Sequence, residues 1–293
     1  MKTPFALCSL IVLLTASVSA QDYAIKIEQP FKVGQRYNLT VVATDSSEMT
    51  MTAEQRPPKI QDEDQDIQME SVATVLAVDA NGRPTKESHT IVKLLQGAAH
   101  EPLLAAGTKV TASRADRKKM FEINGAPAMG AVAKALDLAV DITSGGPTDD
   151  EIFGTTERKK VGDSWPLNES VAMKDANEKL GAMGMSVNSV KGTTTLQKVT
   201  REGGVDVFHF KANLNATATA SPAAKGPFTA GGTTMDATFT GAMPEDITKS
   251  GLEEGETMTM VMKVSGKPTP EGPVVQLSLK AKRSVTRKFK LLN

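Results

Sequence analysis

From Gln276 to Leu291 the chain alternates without a break of register, with Leu277, Leu279, Ala281, Val285, Phe289 and Leu291 on one side and Gln276, Ser278, Lys280, Lys282, Lys288 and Lys290 on the other. A period of two is the signature of an extended strand with one covered face, so a helix is excluded here and a partner surface is required. Arg283 and Arg287 interrupt the apolar row, which predicts that the strand bends or leaves its cover near the middle. The four lysines make a basic ridge on the opposite face. That ridge reads either as protection of an exposed strand or as a docking surface for an acidic partner.

Other segments follow the same logic. "RYNLTVVAT" and "EMTMTAE" are rich in β-branched residues, and "SVATVLAV" and "TKESHTIVKLL" flank a turn at Asn81-Gly82. "TTTLQKVT" and "VDVFHFKANL" flank Gly203-Gly204 in the same way, which predicts two hairpins. In the last of these strands Asp206, Phe208 and Phe210 oppose Val205, Val207 and His209, so both faces are expected to be covered. "RPPKIQDEDQD", residues 56–66, reads as a solvated loop. One helix is expected over 128–142, with Met129, Val132, Leu136 and Val140 on one face and a stop at Gly145-Gly146-Pro147. The fold class is mainly β, antiparallel and curved, with one or two covering helices.

Two stretches resemble each other. Lys32, Val33, Gly34 and Leu39 recur as Lys160, Val161, Gly162 and Leu167, with Trp165 in the place of Tyr37, an offset of 128 (Gly34 to Gly162). Thr74, Val78 and Gly82 recur as Thr195, Val199 and Gly203 at an offset of 121 (Thr74 to Thr195). These matches suggest an internal duplication into a first half, 21–150, and a second, 151–293. Short motifs also recur by chance. Tyr37 and Trp165 read as equivalent buried anchors.

Residues 1–20 carry Lys2, an apolar run from Phe5 to Leu14 and a Val18-Ser19-Ala20 end. This reads as a secretory signal peptide cleaved before Gln21. No segment approaches the roughly 20 apolar residues of a membrane helix, so an exported chain, periplasmic or extracellular and of bacterial origin, is expected. Cys8, the only cysteine, falls inside that signal, which removes disulfides and thiolate chemistry from the mature chain. Without Lys2 there are 33 basic and 34 acidic side chains, divided as 14 and 19 in residues 21–150 and 19 and 15 in 151–293. A balance so even gives nucleic acid no purchase.

Catalytic motifs are missing. His89, His100 and His209 have no metal-ligand spacing, and there is no nucleophile elbow, phosphate loop or dinucleotide fingerprint. Asp62, Asp64 and Asp66 begin like a calcium loop, but Ile67 stands where glycine is needed and Ala73 where glutamate is needed. No cofactor, no metal and no enzymatic activity are expected. Methionine is the more informative residue: Met258, Met260 and Met262 share one strand face, and Met49/Met51 and Met183/Met185 repeat the spacing. Such a row serves as core filler, as an adaptable apolar ligand surface, or as a soft Cu(I) site.

The "VGDSW" strand start at 161–165, the "GTTTL" strand at 192–196 and the signal together resemble an uncharacterised family of exported bacterial β-rich proteins, a domain of unknown function. The resemblance brings no activity and no site residues. In outline, a curved sheet under a helix is also similar to periplasmic lipoprotein carriers. The sequence therefore supports an envelope binding module for an apolar or lipid-like ligand, with Met258, Met260 and Met262 as its surface. The alternative is a structural or interaction component that docks a protein partner of unknown identity through Lys280, Lys282, Lys288 and Lys290.

Overall fold

A computed structural model describes residues 21–53, 57–115, 118–142, 145–181, 185–220, 228–267 and 273–292. The signal-peptide reading and Met183 lie outside the described residues. In chain order the elements are β1 (Arg36–Ala53), β2 (Lys59–Val78), β3 (Pro84–Gln96), β4 (Glu101–Leu104), β5 (Lys109–Ala115), β6 (Lys118–Ile123), β7 (Ala126–Pro127), α1 (Gly130–Ala139) and α2 (Asp149–Phe153). There follow β8 (Ser164–Pro166), α3 (Glu169–Gly181), β9 (Met185–Glu202), β10 (Val205–Ala220), β11 (Phe228–Pro244), β12 (Leu252–Gly266) and β13 (Val275–Leu292). The fold is mainly β.

All thirteen strands belong to one antiparallel sheet in the order β7-β6-β5-β3-β2-β1-β13-β12-β11-β10-β9-β8, with β4 beside β3. Two meanders thus run outward from a central seam, where β1 and β13 pair from Arg36↔Leu292 to Ala53↔Val275. The sheet is open, ending at β7 and β8. Because alternate residues point to opposite faces, the inner face of β1 carries Tyr37, Leu39, Val41 and Ala43, all buried, between exposed neighbours.

Helices cover the inner face in two places. Leu136, Leu138 and Val140 of α1 and its C-terminal end join Ile67, Met69, Ile91 and Leu94 in a first core. Ile152 and Phe153 of α2 and Ala172 of α3 join Trp165, Leu196, Phe208 and Phe210 in a second. The α1 stripe is as the sequence implied, except that Met129 is its N-cap and is exposed. Arg287 explains the break in the C-terminal apolar row: its guanidinium donates to Ala139 O (3.2 Å) and Leu138 O (3.3 Å). With Lys119 Nζ on Asp137 O and Val140 O, it satisfies carbonyls and charge at the helix C-terminus. Thr148 and Glu151 form a reciprocal capping box on α2.

Three expectations need correction. Residues 59–66 are not a loop: they begin β2, with Asp66, Asp64 and Asp62 opposite Thr44, Ser46 and Glu48. Pairing with a long β1 holds the acidic run extended despite its composition. The C-terminal strand is not an exposed edge, because β1 and β12 flank it on both sides. Finally, α3 is a covering helix beyond the one read over 128–142.

The two similar stretches are built alike locally. Gly34 N–H donates to Val75 O and Gly162 N–H to Leu196 O (2.9 and 2.8 Å), while Val75 N–H and Leu196 N–H return to Gln35 O and Asp163 O. Both glycines have positive φ, 86° and 94°, a conformation costly for other residues. Tyr37 and Trp165 are both buried. The likeness ends at the next residues, since Leu39 continues along β1 whereas Leu167 leads into α3. An equivalent frame stands at two places; an internal duplication is not shown.

Candidate functional site

Strand register places the candidate site on the inner face at the seam. Reading across β1, β13, β12 and β11, one row is Val41, Arg287, Glu254 and Gly241, and the next is Ala43, Val285, Glu256 and Phe239. A third is Asp45, Arg283, Met258 and Ala237, with Arg283 Nη2 2.8 Å from Asp45 Oδ2. Beyond this ion pair the face turns apolar: Ala281, Met260 and Met235, then Met49, Leu279 and Met262, then Met51, Leu277 and Val264.

That apolar ladder contains the expected Met258, Met260 and Met262 and brings Met49 and Met51 to them across β13. All three β12 methionines are partly exposed, and Met49 and Met51 are 38% and 39% exposed. Met235, Met258 and Met262 pack their buried parts against the second core, so the row is core filler on one side and partly exposed surface on the other. Met185 is buried in that same core and accepts a hydrogen bond at 3.4 Å from Oγ1 of Thr233, the register partner of Met262. Among the described residues no three His, Cys, Asp or Glu side chains stand together as a metal site.

On the same face, on the other side of the Arg283–Asp45 pair, lies a cavity of about 660 Å³ whose lining includes Glu254 and Glu256 of β12 but none of the ladder's methionines. Phe153, Phe210, Phe239 and Met243 form its apolar wall, and Gly241 and Ala212 leave room on its floor. Its polar wall holds Glu28, Asp141, Asp149, Glu254 and Glu256 with Arg83, Arg114 and Arg287. Burial pushes the Glu28 carboxyl up to about 7, with the neighbouring Asp149 adding to the effect. Glu254 opens into the cavity rather than into bulk water; burial, and then the field of Asp149, push it up to about 8.

The sequence reading missed this charged end. Its signal was present in β12, where Leu252, Glu254, Glu256, Met258, Met260 and Met262 share one parity, so two carboxyls had to enter the same face as the methionines. It also missed a buried polar chain in the first core. Tyr37 Oη donates to Glu87 Oε1 (2.5 Å), His89 Nε2 lies 3.2 Å from Glu87 Oε2, and Ser71 Oγ is 3.2 Å from His89 Nδ1. These are the groups of a hydrolase triad, but Ser71, Glu87 and His89 are at most 2% exposed, so no substrate reaches the hydroxyl.

Lys280, Lys282, Lys288 and Lys290 project from the outer face, all exposed. Lys280 lies 3.4 Å from Glu48 and Lys288 2.9 Å from Glu253. The ridge thus faces acidic groups of neighbouring strands in the same chain.

No family model and no curated protein matches the chain. Among solved structures it is similar to the outer membrane protein OprG from Pseudomonas aeruginosa, at 8% identity over 89% of this chain and 97% of that one, with a TM-score of 0.27. No helix among the described residues is long and apolar enough to cross a membrane.

Proposed function

We propose that this protein is an exported, non-enzymatic binding module of the cell envelope that holds an apolar, lipid-like ligand on its inner sheet face. The observation that carries the reading is the methionine ladder: a partly exposed thioether and leucine surface on the same sheet face as a cavity of about 660 Å³. Methionine suits such a surface, because its flexible, polarisable side chain repacks around differently shaped apolar partners. A drug-sized or lipid-sized molecule needs a concave, mostly apolar site with a few polar groups, and the inner face offers that combination. Docking through the lysine ridge has less support, since two of its ammonium groups already face carboxylates of the same chain.

The test uses refolded, delipidated full chain titrated with the apolar dye N-phenylnaphthylamine, followed by competition with an envelope lipid extract. Saturable fluorescence enhancement that lipid reverses is expected. Changing Met258, Met260 and Met262 to serine together should weaken it at least tenfold, whereas Lys280, Lys282, Lys288 and Lys290 to glutamine should leave it unchanged. Absence of saturable binding, or equal binding by the methionine variant, would sink the proposal.

A further inference from the structure

The cavity's charges are unequal in number. Its arginines serve the chain's own oxygens. Arg287 donates to Ala139 O and Leu138 O, Arg114 Nη1 to Ile142 O, and Arg83 to Asp79, Pro147 O and Gly146 O, with Arg83 Nε also 3.8 Å from Glu28 Oε1. Among the described residues seven acidic side chains line the cavity against three arginines, and burial, with the charges of Asp149, Asp141 and Glu28, disfavours an anion at Glu254 while Arg287 opposes them. Clustered like charges in a low-dielectric recess create a field that selects the opposite sign.

Two further observations point to a ligand there. Thr194 in the cavity wall is 0% exposed and its hydroxyl has no hydrogen-bond partner. Buried polar atoms are seldom left so. In addition, Phe153 and Phe239 lie against each other in the wall, ring centroids 5.1 Å apart. Aromatic faces attract organic cations, and most strongly where water is excluded. A bare metal ion does not suit the geometry, because the carboxyls do not converge on one point among the described residues. An organic cation several atoms across does.

We infer that the cavity receives a cationic amine or ammonium head whose attached apolar chain lies along the methionine ladder, an assignment that rests on the carriage reading above. In β12 the head-binding Glu254 and Glu256 are followed on the same face by Met258, two residues on. One extended molecule passes from one region to the other across the Arg283–Asp45 pair.

The experiment is calorimetric titration of delipidated full chain with three eight-carbon probes, all below their micelle concentrations: octyltrimethylammonium, octyl glucoside and octyl sulfate. The ammonium should bind at least tenfold tighter than the glucoside, and the sulfate weakest. In the double variant Glu28→Gln, Glu254→Gln the ammonium should lose that advantage while glucoside affinity holds. Phe239→Leu, which keeps every cavity charge, gives a second reading, with ammonium affinity reduced several-fold more than glucoside affinity. Equal binding of the three probes, preference for the sulfate, or a preference that survives both variants overturns the cationic head and leaves carriage standing. Binding of none of the three overturns both.

Discussion

Tyr37 and Glu87, fifty residues apart, meet through a 2.5 Å hydrogen bond in the middle of the first core, with His89 and Ser71 completing the chain of polar groups behind them. Removing the phenol leaves a buried carboxyl short of a donor. Tyr37→Phe should therefore cost about 1–3 kcal/mol in urea unfolding, the penalty of an unsatisfied buried polar group. A cost below 0.5 kcal/mol, on the order of a surface change, would show that Glu87 is satisfied without it.

Trp165 is the second core's counterpart. Its ring stands edge-on to Phe210 at 6.4 Å, and Nε1–H donates to Phe153 O at 2.7 Å. Trp165→Ala should cost on the order of 3–5 kcal/mol as a large truncation in a packed core. Trp165→Phe keeps most of the apolar volume but orphans the Phe153 carbonyl, so a loss of about 1–3 kcal/mol is expected. Equal losses in the two variants would show that the hydrogen bond, not the ring, holds α2 in place.

The methionine ladder can be tested for softness towards metal as well as towards lipid. Changing Met258, Met260 and Met262 to leucine together preserves apolar volume, so each should cost less than about 1.5 kcal/mol. Competition for Cu(I) against a chelator should be the same before and after. A chelator midpoint that shifts only in the wild type would assign the row to copper and remove it from the apolar surface.

Strand patterns were legible because a half-covered strand must alternate. β13 could be read residue by residue, and so could the helix over α1, whose Leu136 and Val140 are buried. Pairing was not legible: nothing in "VQLSLKAKRSVTRKFKLL" says that it sits between β1 and β12, and an exposed lysine face looks the same on a central strand as on an edge. α3 escaped because "ESVAMKDANEKLG" carries no clean apolar stripe and is held by β9 and by Asn177, whose Oδ1 accepts from Val187 N–H. The charged cavity escaped for a related reason. Glu28, Arg83, Asp149, Glu254 and Arg287 come from five separate segments, and only the meander order brings them together.

The cavity carboxyls also fix the direction in which stability changes with pH. Glu28 and Glu254 sit at an ordinary value of 4.5 in the unfolded chain and at about 7 and about 8 in the folded one. Between those values the folded chain binds more protons than the unfolded chain, so stability falls as pH rises. Their favourable protonated state is fully present below 4.5 and is lost once pH passes about 8. Burial is the main cause of both shifts; Asp149 and Asp150 add to it and Arg83 opposes it at Glu28, while Asp149, Asp141 and Glu28 add to it and Arg287 opposes it at Glu254. Other groups act elsewhere or oppositely: Asp79 and Asp246 are held below 3.8, outside the window. His209, lowered mainly by burial, acts oppositely, adding stability as pH rises towards its ordinary value of 6.5. Comparison with Glu28→Gln, Glu254→Gln isolates the carboxyls, because every other group is common to both proteins. The wild type should lose on the order of 3 kcal/mol relative to the double variant between pH 5 and pH 9, less than two fully enclosed carboxyls would give, since solvent enters the cavity. Parallel urea-unfolding profiles for the two proteins across that range would mean that neither carboxyl is held protonated.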